Sequence, residues 1–236
     1  MRLATVVVAG IALAAMMALG SSRAHGAIAG QQRRAPVALE PGALTLLDVT
    51  ASVAQHAGRQ AVRLIEPDNG RRGGVALINI SGLTFTDGAL EVDVAGRRGP
   101  FAVPDDRGFI GLAFRVRPGA AEYEYIYLRP DNGRANDQVR RNHSTQYASH
   151  PAFDFARLRQ ESPERYESYV DLEAGAWTRM RIEVQGTTAR LFVHDAPQPA
   201  LVVNDLKLGT GGGGVGLWIG PGTEGFFSRF SSAPAR

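Results

Sequence analysis

The sequence predicts an all-β fold in which antiparallel strands form a sandwich or jelly roll. Eleven short strand-like runs lie between residues 44 and 230, with turn residues between them. Several runs alternate apolar with polar residues, as strands do when one face is buried and the other is solvated. Only one short helix fits the pattern, at 153–160 between Pro151 and Pro163. Many short strands with a single helix favour a β-sandwich.

The runs fall into three groups along the chain. They cover 44–50, 61–66 and 75–80, then 89–95, 109–117 and 122–129, and finally 177–185, 188–194, 201–206, 215–220 and 226–230. The alternation is clear in 89–95, where apolar residues flank Glu91 and Asp93. In 215–220 the apolar neighbours occupy one face, which predicts that Trp218 points away from the core.

The N-terminus has the three parts of a secretory signal. A basic start at Arg2 precedes an apolar run over 4–19, and small residues follow it. The run is shorter than the roughly 20 residues of a membrane span. We therefore expect a cleaved signal peptide at 1–26, export to the periplasm or the exterior, and no integral membrane span after cleavage. Residues 27–43 are predicted to be a flexible lead, and 44–236 one jelly-roll domain.

Composition and charge argue against disulfide stabilisation and against general nucleic-acid binding. The chain has no cysteine, so its core must form without disulfides. It has 26 Lys and Arg against 23 Asp and Glu, and loss of Arg2 and Arg23 with the signal reduces the formal charge from +3 to +1. A nearly neutral domain is not suited to general nucleic-acid binding.

A long segment without strand-like runs, 130–167, carries the densest group of polar side chains. Long loops of this kind are usually functional. Their Arg, Asn, Asp and Gln side chains are suited to hydrogen bonding with vicinal hydroxyls. The alternative is a lid that is held down by its own Arg–carboxylate pairs. The members of this polar group are Arg134, Asn136, Asp137, Gln138, Arg140, Arg141, Asn142, His143, Gln146, Tyr147 and His150.

Three segments resemble a known superfamily. They are 108–115 (GFIGLAFR), 123–130 (YEYIYLRP) and 215–220 (VGLWIG), which are similar to central and closing strands of the concanavalin A-like lectin/glucanase superfamily. Laminin-G-like jelly rolls and the 3-keto-disaccharide hydrolase domain family are the nearest groups within it. The resemblance covers about 45–231 and implies a saccharide as the ligand. It is specific for the fold rather than for one activity.

The retaining glucanases of this superfamily use a strand motif Glu-x-Asp-x-(x)-Glu, whose outer acids supply nucleophile and proton donor. Glu91 and Asp93 match its first two acids, but Ala95 and Gly96 stand where the third belongs. We therefore interpret Glu91 and Asp93 as a solvated strand face.

Glu124 is the acid that stands out on a central strand. It lies among Tyr123, Tyr125 and Tyr127, which alternate onto the opposite face. If the apolar residues of that strand face the core, Glu124 is at the edge of the core or buried with a partner. If the tyrosines face the core, Glu124 joins an open surface. Across the hairpin, Arg115 is a candidate ion-pair partner.

Three hypotheses for function follow. The first is an exported protein that grips a saccharide on its concave sheet beneath the 130–167 loop, with Trp218 stacking on a sugar ring. The second is a glycoside-cleaving enzyme, similar to 3-keto-disaccharide hydrolases or glucanases, in which Glu124, Asp137 or His143 acts as base, with a divalent metal as an open question. The third is a cell-envelope interaction module. The candidate binding residues are Arg115, Tyr125, Arg129, Arg134, Asn136, Gln138, Arg141, Asn142, His150 and Trp218.

Overall fold

Two seven-stranded antiparallel sheets make up the fold, which confirms the predicted all-β sandwich. The computed structural model of the chain describes Met1 and residues 39–68, 73–78 and 83–235. Residues from 39 onward belong to one compact unit, Gln32–Arg236. The predicted signal peptide at 1–26 and most of the predicted lead lie outside the described residues. Within that lead, Pro41–Ala43 forms a 3₁₀ turn.

The two sheets are named here the front sheet and the back sheet. Across the front sheet the order is β1 (Leu44–Leu47), β4 (Gly74–Ile78), β13 (Gly214–Ile219), β6 (Ile110–Val116), β7 (Tyr123–Leu128), β8 (Thr145–His150) and β9 (Glu167–Ser168). Across the back sheet it is β12 (Leu201–Val203), β11 (Thr188–Val193), β10 (Thr178–Gln185), β5 (Gly88–Arg98), β14 (Thr223–Pro234), β3 (Arg59–Ile65) and β2 (Thr50–His56). Neighbouring strands are often distant in sequence, as in a jelly roll.

The core lies between the inner faces of the two sheets. Leu112, Ile126 and Leu217 stand side by side on the front sheet and are fully buried. Opposite them, Val92 and Ile182 are fully buried on the back sheet. Burial of each such side chain contributes about 1.5–3 kcal/mol. The predicted alternation is therefore confirmed, because the apolar positions of each strand form the core.

The 130–167 segment contains more regular structure than predicted. The predicted helix corresponds to α3 (Phe155–Glu161), which Asp154 caps by accepting from the backbone N–H of Arg157 at 2.8 Å. Two other short helices precede it, α1 (Pro130–Gly133) and α2 (Gln138–Asn142). The prediction of a strand-free segment is wrong, because β8 crosses it. Several buried residues of β8 are polar, so its sequence lacks the alternation of apolar and polar residues that marks the other strands.

The strands β2, β8 and β9 were not predicted, whereas each of the eleven predicted runs contains a strand. β2 and β9 are edge strands, and β9 has two residues. A strand that is exposed on one side has less need of an apolar pattern. Among the described residues, no helix has the length and apolar character that a membrane span requires.

Candidate functional site

Four aromatic side chains lie together on the outward face of the front sheet. Tyr123, Tyr125 and Tyr127 alternate along β7, and Trp218 comes from β13. The ring centroid of Trp218 is 4.9 Å from that of Tyr125 and 4.8 Å from that of Tyr127. We call these four residues the aromatic strip. The sequence pattern predicted that Trp218 leaves the core, and it does so, although only 9% of its surface is exposed.

Small residues on β6 make the strip possible. Gly111 is paired between Trp218 and Tyr127, and Ala113 is paired with Tyr125. A Cβ at Gly111 would overlap the backbone of β7 at the carbonyl of Ile126. Because β6 presents almost no side-chain volume there, rings from the strands on either side lean over it and meet.

The open part of the strip is at Tyr125, on the side toward His150. Tyr125 is half-buried, and His150 at the end of β8 is exposed. The imidazole of His150 stacks on the ring of Tyr123, with centroids 4.7 Å apart. Tyr123, Tyr127 and Trp218 are buried. A ligand on this face would therefore meet Tyr125 and His150 first.

The polar groups of the strip and of the adjacent His150 are uncharged at neutral pH. Burial raises the pKa of Tyr125, and the nearby Tyr127, Tyr123 and Asp154 raise it further. Burial also lowers the pKa of His150 below its ordinary value. Phenol hydroxyls and a neutral imidazole both donate and accept hydrogen bonds. The strip thus offers flat apolar rings with uncharged polar edges.

Arg129 closes the Tyr127 end of the strip. Its Nη2 donates to the hydroxyl of Tyr127 and to Oε1 of Gln146, each at 3.0 Å. Its Nη1 donates to Oε1 of Glu167 at 2.8 Å and to the carbonyl of His143 at 3.1 Å. The guanidinium is therefore occupied by protein groups and is 4% exposed. The structure places this predicted binding residue as a support for the strip.

Glu167 is the counter-ion of this arrangement. Besides Arg129, it accepts from Nε of Arg159 at 3.0 Å. Burial acts to raise the pKa of the Glu167 carboxyl, but the hydrogen bonds from Arg159 and Arg129 together outweigh it and hold that pKa below its ordinary value. The carboxylate is ionised at neutral pH and links β9 to α3 and to the residue that joins β7 to α1.

Glu124 faces the opposite side of the sheet from the aromatic strip. It is fully buried, and it accepts from the hydroxyl of Tyr147 and from the backbone N–H of Leu208, each at 2.6 Å. Burial raises the pKa of Glu124, and the hydrogen bond from Tyr147 reduces the shift. The first sequence alternative therefore applies, because the apolar residues of β7 face the core and Glu124 is buried with partners.

Arg115 is also turned away from the strip. The register of β6 against β13 shifts beside it, and Arg115 has φ 54°, in the left-handed region. Such a bulge redirects a side chain, and Arg115 is fully buried. It pairs with Asp87 at 3.0 Å rather than with Glu124. Its other donors bind the backbone carbonyls of Thr86, Gly186 and Gly209.

The predicted catalytic residues do not form one group. Glu124 is near the start of β7, about 17 Å along the chain from Arg129, which follows the strand and donates to the carbonyl of His143. Asp137 caps α2 by accepting from the backbone N–H of Arg140 at 2.9 Å. His143 follows α2, and its Nε2 is 3.7 Å from Oε2 of Glu167. Burial lowers the pKa of His143, so the ring is neutral at neutral pH.

The remaining predicted loop residues lie around α2, away from the strip. Arg134 forms ion pairs with Asp171 and Glu173, and Gln138 donates to Asn142 within α2. Arg141 donates to the hydroxyl of Tyr169, and Asn136 is exposed. These contacts agree with the alternative of a loop held down by its own ion pairs.

A cavity of about 210 Å³ lies next to α2. Its lining residues are Asn142, His143, Glu164, Glu167, Ser168 and Tyr169. It brings two of the predicted site residues, Asn142 and His143, beside the buried Glu167. In the part of the chain that the structure describes, His, Cys, Asp and Glu side chains form no group of three or more that could hold a metal ion.

Glu91 and Asp93 correct the prediction of a solvated strand face. They lie on the outward face of the back sheet, yet they are only 6% and 5% exposed. Arg179 from β10 pairs with both carboxylates, and Arg59 from β3 pairs with Asp93. The arginine side chains cover the acids, which the alternation along a single strand does not reveal.

Sequence reasoning missed several members of the site. The three tyrosines of β7 were recognised as sharing a face, yet only Tyr125 was named as a candidate binding residue. Their spacing of two was the available signal. Gln146 and Glu167 meet Arg129 through strand pairing of β7, β8 and β9. No spacing along the chain indicates that contact.

Comparison with solved structures shows the fold. The carbohydrate-binding module CBM66 from Bacillus subtilis superposes with a TM-score of 0.53 at 12% identity, over 81% of this chain and 96% of that chain. A protein of unknown function with a galectin-like fold from Bacillus subtilis gives a TM-score of 0.54 at 10% identity, over 86% of this chain and all of that chain. No family model and no curated protein sequence matches the chain. The chain has the concanavalin A-like jelly-roll fold.

Proposed function

We propose that the protein binds a saccharide, without cleaving it, on the outward face of the front sheet, centred on Tyr125. The aromatic strip is the observation that carries this proposal. Flat aromatic faces pack against the C–H faces of sugar rings, and a few polar groups at their edges fix orientation. Tyr125 and His150 provide both at the open part of the strip.

Two further observations support binding without catalysis. The residues predicted to be catalytic are separated, with Glu124 inside the sandwich and Asp137 and His143 beside α2. The structural likeness to CBM66 adds support at the level of fold, because that protein is a carbohydrate-binding module. The concave face expected from sequence corresponds in this proposal to the outward face of the front sheet.

The proposal includes export. Its support is the basic start, apolar run and small residues of 1–26. Expression of the full chain in a bacterial host, followed by N-terminal sequencing of the protein from the periplasm or medium, tests it. We expect a mature N-terminus near residue 27, and an intact Met1 in the cytoplasm would contradict export.

Replacement of Tyr125 tests the binding face. Calorimetry against neutral oligosaccharides of glucose, galactose, fructose and arabinose should identify a ligand. For that ligand, Tyr125→Ala should weaken affinity at least about tenfold, or about 1.4 kcal/mol. Tyr125→Phe should retain most of the affinity because the ring remains.

Val202→Ala is the control, because Val202 is exposed on β12 of the back sheet. It should leave affinity unchanged. Equal affinities for Tyr125→Ala and the wild type would exclude the strip as the binding face. Release of sugar from a glycoside or a 3-keto-disaccharide would instead support the glycoside-cleaving hypothesis, and the absence of both binding and release would support the interaction module.

A further inference from the structure

A second, basic cleft opens at one end of the sandwich. It is shallow and open to solvent, with a volume of about 550 Å³. The cleft lies where the last residues of β5 meet α1 and α2. Its lining residues are Arg97, Arg98, Asp131, Arg140 and Ala174. α1 begins immediately after Arg129, so the cleft is at the Arg129 end of the front sheet.

Two of the three arginines are held in place by the protein and remain half-exposed. Nε of Arg98 donates to Oδ2 of Asp131 at 2.9 Å and to the carbonyl of Asp106 at 3.0 Å. Nε of Arg97 donates to Oε2 of Glu224 at 2.7 Å, and Glu224 is shared with Arg63. Among the described residues, three guanidinium groups thus line the cleft against a single carboxylate, that of Asp131.

The third arginine, Arg140, differs from the other two because no protein group holds its side chain among the described residues. Nε of Arg140 is buried without a hydrogen-bond partner, and among the described residues no ion pair or hydrogen bond engages its side chain. A guanidinium without a carboxylate partner is a charge that the protein itself does not neutralise. Arg140 lines the cleft, so an anion bound there can pair with this charge, and the planar guanidinium suits an oxyanion in particular.

We propose that this cleft binds the oxyanion group of an acidic saccharide, either the carboxylate of a uronic acid unit or a sulfate ester. Arg140 makes the principal contact, and Arg97 and Arg98 flank it. The identification of the ligand as a saccharide rests on the proposed function, whereas the anion site does not. The cleft then confers preference for acidic over neutral glycans.

Calorimetry with matched acidic and neutral probes tests the proposal. Oligogalacturonate and a sulfated galacto-oligosaccharide should bind more tightly than the neutral galacto-oligosaccharide, and added salt should reduce the difference. Arg140→Gln should weaken binding of the acidic probes at least about tenfold, as loss of a charge-assisted contact does. Its affinity for the neutral probe should be unchanged. The two acidic probes distinguish carboxylate from sulfate.

Two other variants sharpen the test. Arg190→Gln makes the same charge change at an exposed position of β11, on the back sheet, and should have no effect. Asp131→Asn removes the one carboxylate of the cleft, so it should strengthen binding of the acidic probes by about threefold, the opposite sign to Arg140→Gln. Impaired folding cannot produce a gain of affinity, and unchanged binding of the neutral probe would show that Arg140→Gln is folded.

The outcomes separate this proposal from the proposed function. Equal binding of acidic and neutral probes, unchanged by Arg140→Gln, would overturn the cleft and leave saccharide binding intact. If no saccharide binds but inorganic sulfate stabilises the wild type and not Arg140→Gln, the saccharide assignment is overturned and the anion site is supported. No response to any probe would overturn both.

Discussion

Replacement of Arg115 by Met should destabilise the protein by about 3–5 kcal/mol, the largest loss expected for a single site. The guanidinium is fully buried and joins Asp87 to the carbonyls of Thr86, Gly186 and Gly209. Those carbonyls belong to three separate connections between strands. Methionine fills the volume but donates no hydrogen bond, so several buried acceptors would lose their partner at once.

Urea unfolding followed by tryptophan fluorescence measures this effect. Arg190→Met is the matched control, because Arg190 is exposed on β11, and it should change stability by no more than about 0.5 kcal/mol. Arg115→Lys keeps a charge and one contact, so it should fall between the wild type and Arg115→Met. A loss below about 1 kcal/mol in Arg115→Met would contradict a structural role for the guanidinium.

Glu167→Gln should destabilise the protein by about 3 kcal/mol at pH 7. The substitution leaves Arg129, which is 4% exposed, without its counter-ion. Removal of one partner from a buried ion pair is costly, because the remaining charge stays desolvated. The amide oxygen of the substituted side chain can still accept a hydrogen bond, so the loss reflects chiefly the missing charge.

The loss should depend on pH in a defined direction. The pKa of Glu167 is lowered from 4.5 by its arginine partners, so the folded state binds this proton less readily than the unfolded state. The contribution is therefore complete above about pH 4.5 and is lost as pH falls through the lowered pKa. Unfolding free energies of wild type and Glu167→Gln should converge as pH falls from 7 to 3.

The difference in unfolding free energy between wild type and Glu167→Gln removes the contributions of other titrating groups, because both proteins contain them. Glu124 has a raised pKa, so its own contribution is lost as pH rises, and it is present in both proteins. Glu161→Gln is the matched control, since Glu161 forms an exposed i,i+4 pair with Arg157 and should cost no more than about 0.5 kcal/mol. A wild-type advantage over Glu167→Gln that persists unchanged at pH 3 would contradict the assignment.

The core strands were predictable because their pattern is local. Leu90, Val92 and Val94 alternate with acids along β5, and each contributes to the core by its own position on the strand. Trp218 was placed on the outward face by the same period of two. β8 escaped prediction, because its buried polar residues are satisfied by hydrogen bonds with neighbours that are distant in sequence.

The sequence by itself determined the class of fold, the alternation of the strands and the presence of an aromatic face. Tertiary structure alone decided which side chains lie open on that face and which are engaged by other protein groups. Alternation places Glu124 and Tyr125 on opposite faces of β7, but only the packing of the two sheets decided that Glu124 is buried between them and that Tyr125 opens outward. Arg129 directly precedes the polar 130–167 segment and Arg140 lies within it, yet Arg129 is fully engaged, whereas the side chain of Arg140 lines a cleft and has no partner among the described residues. The physical reason is that hydrogen bonds and ion pairs join residues brought together by strand pairing, and their free energy depends on burial, which no local pattern specifies.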